Sequence, residues 1–116
     1  MPRVVALVPD LLFGSNVLGA LRAAGHDAIL VSDGDGLRSE LPGAELLIVD
    51  LTADPEPRIT LAAAALGDEG PRTLAFYSHV EADVRARAEE AGFDLVVPRS
   101  RMAREGPALV SRLLAG

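Results

Sequence analysis

A chain of 116 residues with 49% hydrophobic but only 3% aromatic residues fits one domain, with a core built from Leu, Val, Ile and Ala. It has no cysteine, which excludes a disulfide framework, a thiolate metal site and a thiol nucleophile. The net charge of −6 argues against a nucleic-acid surface, and all eleven basic residues are arginine, so no chemistry that needs a side-chain amine is available.

The start, Met1-Pro2-Arg3-Val4, leads directly into an apolar run, Val4 to Val8, that is closed by Pro9-Asp10. This leaves no room for a signal peptide, and no apolar run approaches the roughly 20 residues of a membrane span. A cytoplasmic protein with no membrane partner is therefore expected. After Leu11-Leu12-Phe13-Gly14-Ser15-Asn16 the spacing of Val17, Leu18, Leu21 and Ala24 predicts a helix, ended by Gly25. A second strand, Ala28 to Val31, stops at Ser32-Asp33-Gly34, and Leu37 to Leu41 forms at most a short helix before Pro42-Gly43.

The third apolar run, Glu45-Leu46-Leu47-Ile48-Val49-Asp50, is the centre of the pattern. Large apolar residues without alternation read as a strand covered on both faces, as in a parallel sheet. The carboxylate at its end lies where such sheets place functional groups, beyond the strand tips, although Asp50 can equally cap the next turn. An alanine-rich helix is expected within Arg58 to Leu66, and Thr73 to Tyr77 is the fourth strand. Ser78-His79-Val80-Glu81 has the spacing of a capping box, opening a helix to Ala91 with Val80, Val84, Ala88 and Ala91 inward and Glu81 paired with Arg85. Asp94 to Val97 is the fifth strand, and Pro107 is placed to open a last helix with Leu109, Val110, Leu113 and Leu114 buried. Five strands alternating with five helical segments give an α/β, flavodoxin-like (βα)5 sandwich, its parallel sheet in the order 2-1-3-4-5. That order brings Asp10 and Asp50 to neighbouring strand tips.

Leu47-Ile48-Val49-Asp50, Leu18 to Gly25 and Ala91 to Pro98 together resemble a response-regulator receiver (CheY-like) domain over nearly the whole chain, as one domain spanning residues 1–116. The resemblance implies a signalling role, with Asp50 at the phosphoryl-accepting position. In that family paired acids after the first strand bind Mg²⁺, the fourth strand ends in Thr or Ser, and the fifth in Lys-Pro. Here the acid pair is Pro9-Asp10, the Thr or Ser position falls on Tyr77 with Ser78 next, and the lysine is replaced by Pro98 or Arg99. The resemblance is thus to a degenerate pseudo-receiver with an incomplete phosphorylation site formed by Asp50, Asp10, Tyr77, Ser78 and Arg99. No resident metal or cofactor is expected.

Arg99, Arg101 and Arg104 form a basic cluster; with Ser15 and Asn16 at a helix terminus, Arg99 and Arg101 could hold an anion, or Arg99 could instead neutralise Asp50. His79 lies beside the cleft, as a general base or, better, in a capping role, and His26 is isolated. Leu11, Leu12 and Phe13 lie where a polar loop is expected, as a staple beneath the helix or as an exposed interface. The expected function is a non-catalytic module acting through a protein partner, with a homodimer the default assembly. The alternative is a small flavodoxin-like binder or enzyme for an anionic or phosphorylated ligand.

Overall fold

The computed structural model describes residues 3–64, 70–78 and 80–116. The strands are β1 (Arg3–Leu7), β2 (Asp27–Val31), β3 (Leu46–Asp50), β4 (Arg72–Tyr77) and β5 (Leu95–Pro98). Between and after them come α1 (Leu11–Ala23), α2 (Gly34–Glu40), α3 (Pro55–Ala63), α4 (Ala82–Ala91) and α5 (Arg99–Ala115). All four pairings are parallel, in the order β2-β1-β3-β4-β5. This is the expected flavodoxin-like topology.

Alternation along each strand divides the core in two. Val5, Leu7, Leu47, Val49, Ala75 and Tyr77 face one layer, packed against Leu37 of α2, Ile59 and Ala62 of α3, and Val84 and Ala88 of α4. Val4, Ala6, Leu46, Ile48, Leu74 and Phe76 face the other, against Val17 and Leu21 of α1 and Met102, Leu109 and Val110 of α5. Every residue of β3 is buried, as a strand with helices on both sides requires. Gly25 and Gly92 close α1 and α4 at φ of +94° and +105°, a region that side-chain-bearing residues rarely adopt.

The helix boundaries depart from the expectations at four places. α1 begins at Leu11, not after Asn16, because the Asp10 side chain caps it by accepting from Phe13 N at 3.1 Å. Leu11, Leu12 and Phe13 are therefore its first turn. α2 begins at Gly34, where the Asp33 side chain accepts from Gly36 N at 2.8 Å, earlier than Leu37. α3 begins at Pro55 rather than Arg58, using proline at the first helical position; Leu66, at the expected end, lies outside the described residues. α5 begins at Arg99, and Pro107 lies inside it. Pro107 removes one N–H, so Ala103 C=O loses its usual helical donor, and burial of Met102, Gly106, Leu109 and Val110 outweighs that loss.

The capping box at Ser78 does not form. The Ser78 carbonyl, not its hydroxyl, accepts from Glu81 N in a turn, and α4 starts at Ala82 without a side-chain cap. Val80, expected inward, is 75% exposed. On α4, Arg85 pairs with Glu89 at 3.6 Å rather than with Glu81, and Arg87 bridges to Asp83 and to Glu56 of α3. None of its helices is long and apolar enough to cross a membrane among the described residues.

Candidate functional site

β1 and β3 are neighbours, with Leu7 opposite Val49, so Asp10 and Asp50 lie at adjacent strand tips, at the carboxyl end of the sheet. β4 and β5 add Tyr77, opposite Pro98, and the residues that follow, Ser78 and Arg99. The expected residues thus share the carboxyl end of the sheet, but their side chains are engaged differently from the expected pattern.

Asp50 is only 3% exposed. Its Oδ1 accepts from Thr52 N at 2.8 Å and from Thr52 Oγ1 at 2.6 Å. A short O–H···O⁻ bond of this kind is charge-assisted and strong for its class. The turn-capping role for Asp50 is therefore present. Arg58 of α3 donates from Nη1 to the Asp50 carbonyl at 3.1 Å, and Leu51 N donates to the Phe76 carbonyl at 2.8 Å. Both bonds fix the backbone beneath the carboxylate. Neither Thr52 nor Arg58 was expected at the site; the signal for Thr52 was its position two residues after an acid, a spacing at which side chain and backbone can close a local turn.

Asp10 faces away from the role of metal ligand. One oxygen caps α1 through Phe13 N, and Oδ2 lies 3.8 Å from Arg99 Nη2. The two side chains are about half exposed, so the ion pair is weak and screened. Arg99 also lies over the Phe13 ring, 4.1 Å from its centroid, a cation–π contact. Phe13 in turn meets Phe76 at 5.1 Å between centroids, tilted by 46°. Arg99 therefore pairs with Asp10, not with Asp50 as one expectation had it, because the first turn of α5 points it across Phe13 towards the start of α1.

The implied Mg²⁺ can be tested against these donors. Mg²⁺ demands near-octahedral oxygen ligands at about 2.0–2.1 Å. Pro9 offers no carboxylate, Asp10 is divided between a helix cap and an arginine, and one oxygen of Asp50 is filled by Thr52. Among the described residues no group of three His, Cys, Asp or Glu side chains converges. The side chains present do not fit the ion.

Tyr77 is buried in the core beneath α4 and does not present its side chain at the crevice as a threonine would. Ser78 is half-buried and lines a depression of about 290 Å³ with Phe13, Arg99, Ser100 and Ala103. Ser15 and Asn16 lie in the second turn of α1, exposed and not at its terminus, and they do not line that depression; nor does Arg101, which pairs with Glu105 at 3.3 Å. Leu11 and Leu12 are 72% and 75% exposed while Phe13 is buried, so the first turn of α1 is both staple and exposed edge. His26 lies 3.3 Å from Ser111 Oγ at the opposite end of the sheet, and His79 lies outside the described residues.

The receiver domain of the TMAO respiratory system response regulator TorR superimposes with a TM-score of 0.88 at 18% identity, covering 99% of this chain and 98% of that one. A response regulator receiver protein from Burkholderia phymatum gives 0.83 at 21% identity, covering 99% and 96%. A response regulator from Thermotoga maritima gives 0.82 at 16% identity, covering 100% and 99%. The chain has the response-regulator receiver fold, CheY-like, from end to end. No protein-family model matches the sequence, and no curated protein matches it.

Proposed function

We propose that the chain is a receiver-fold signalling module that acts through protein contacts and not through phosphorylation of Asp50. The observation that supports this most is the state of the two acids: Asp50 is clamped by Thr52, and Asp10 is spent on capping α1 and on Arg99. The absence of lysine from the whole chain removes the amine that would contact a phosphoryl oxygen. Arginine at position 99 lies over Phe13 and 3.8 Å from Asp10, and it makes no ion pair with Asp50.

Intact-mass measurement after incubation with acetyl phosphate and Mg²⁺ tests the proposal. The mass is expected to stay unchanged, and beryllofluoride is expected to produce no saturable change in the spectrum of the protein. A stoichiometric phosphoryl adduct lost on Asp50→Asn would overturn the reading. An anion-binding role is the second reading, favoured by one feature: α5 opens at Arg99 with no side-chain cap, and Ser78 and Ser100 flank the same depression. Saturable shifts of the Ser78 and Ser100 amides on titration with inorganic phosphate would favour it over the first.

A further inference from the structure

Charge is divided unevenly over the two helix layers. α1 and α5 carry five arginines (Arg22, Arg99, Arg101, Arg104 and Arg112) against one acid, Glu105, a formal +4. The whole chain is −6, so everything outside these two helices carries −10. Glu105 is shared between Arg101 at 3.3 Å and Arg104 at 3.8 Å, so it answers only one of them. Counting Asp10, the partner of Arg99, still leaves +3 on this layer.

The same layer has an apolar, unpartnered surface. Leu11 and Leu12 project into solvent from the first turn of α1, and the exposed positions after them, Ser15, Asn16, Gly19 and Ala20, carry no charge. Alongside runs a groove of about 250 Å³ between α1 and α5, lined by Asn16, Ala20, Met102, Ala103, Gly106 and Pro107 among others. α1 has 13 residues, a length of about 20 Å, which matches some three to four turns of a bound helix.

We propose that the α1–α5 layer is a docking face for an acidic amphipathic helix of another protein. The proposal rests on the reading of the chain as an interaction module and names the surface and the chemistry of the partner. Apolar side chains of that helix seat against Leu12 and in the groove, while its carboxylates meet Arg101, Arg104 and their neighbours on the rim. Such a division, apolar centre and charged rim, gives affinity from the first and orientation from the second. Charge decides against a second copy of this chain in a two-fold pair at this face, since the pair would bring two layers of formal +3 together.

The test uses the full chain, labelled with ¹⁵N, and a synthetic helical peptide of about 18 leucine and glutamate residues with leucines at i, i+3, i+4 and i+7. A lysine-for-glutamate version is the control. Saturable amide shifts confined to α1 and α5 are expected with the glutamate peptide, and binding at least about tenfold weaker with the lysine peptide. Leu12→Asp and Arg104→Glu, both at exposed positions, are each expected to weaken binding about tenfold, and Val80→Asp, exposed in the β4–α4 turn outside this face, to leave it unchanged. Absence of shifts, equal binding of the lysine peptide, or shifts centred on α4 would overturn the proposal. So would concentration-dependent self-association abolished by Leu12→Asp, which would make a second copy the occupant. Phosphorylation of Asp50, read by mass, would defeat the phosphorylation-independent reading and leave the docking result standing or falling by itself.

Discussion

Replacing Thr52 with valine removes one hydroxyl and leaves a side chain of nearly the same shape. The bond lost is the donation from Thr52 Oγ1 to Asp50 Oδ1 at 2.6 Å, while the backbone bond from Thr52 N at 2.8 Å stays. Hydrogen bonds to charged groups contribute about 1.5–3 kcal/mol. Thr52 is half-buried, so water can replace part of what is lost, and the low end, about 1.5 kcal/mol, is expected. With a urea dependence of about 1–3 kcal/mol per molar, the unfolding midpoint should fall by roughly 0.5–1.5 M. Thr52→Ser keeps the donor and should recover most of the shift. An unmoved midpoint in Thr52→Val, or a serine variant as unstable as the valine one, would refute the clamp. Neither variant should acquire an acetyl-phosphate adduct, because the acid missing at Pro9 and the missing amine are not restored.

Ile48, fully buried at the centre of β3, should cost about 3–4 kcal/mol as Ile48→Ala, from three deleted carbons at about 0.8 kcal/mol each plus a residual cavity. A urea-unfolding change below about 1 kcal/mol would mean that β3 is not the centre of the core. A double-mutant cycle of Arg99→Met and Asp10→Asn should give a coupling of about 0.5 kcal/mol, since the pair is 3.8 Å apart and half exposed. The parallel cycle of Arg99→Met with Asp50→Asn should be additive within error; a coupling above about 1 kcal/mol there would restore the Arg99–Asp50 lock.

The strands were legible because burial on both sheet faces leaves a local mark, an apolar run four or five residues long followed by Pro, Asp or Ser. Strand order followed from short connections and the handedness of crossovers. Helix starts were much less legible. Gly14-Ser15-Asn16 has the composition of a loop, but Asp10 caps a helix that begins before it and the buried side of Gly14 packs on Leu30. Pro107 has the composition of a first helical residue, but the helix is held by Met102, four residues into a turn that composition does not mark. Ser78 and Glu81 have the right spacing for a box whose geometry the β4–α4 turn does not supply. The crevice was legible as a set of residues and not as a set of contacts. Which carboxylate Arg99 meets depends on the rotation of the first turn of α5, and that rotation is set by burial of Met102 in the core.

That rotation links the two ends of the functional proposal. Phe76 lies in the core of the α1–α5 layer, Phe13 packs on Phe76, Arg99 lies on Phe13, and Asp10 meets both Arg99 and the Phe13 N–H of α1. This chain of contacts runs from the centre of the sheet to the crevice rim and fixes the first turn of α1. Leu11 and Leu12 are consequently held outward on an anchored helix, and ordering them costs a binding partner little further entropy. In a receiver the acid after the first strand serves the metal; here the same position serves the helix. An Asp10 freed to bind a cation would give up its bond to Phe13 N and its pairing with Arg99, loosening the surface on which docking is proposed. On the docking proposal, a cation at the crevice and a rigid first turn of α1 would compete for one carboxylate, and the contacts Asp10 makes in this chain are to Phe13 N and Arg99.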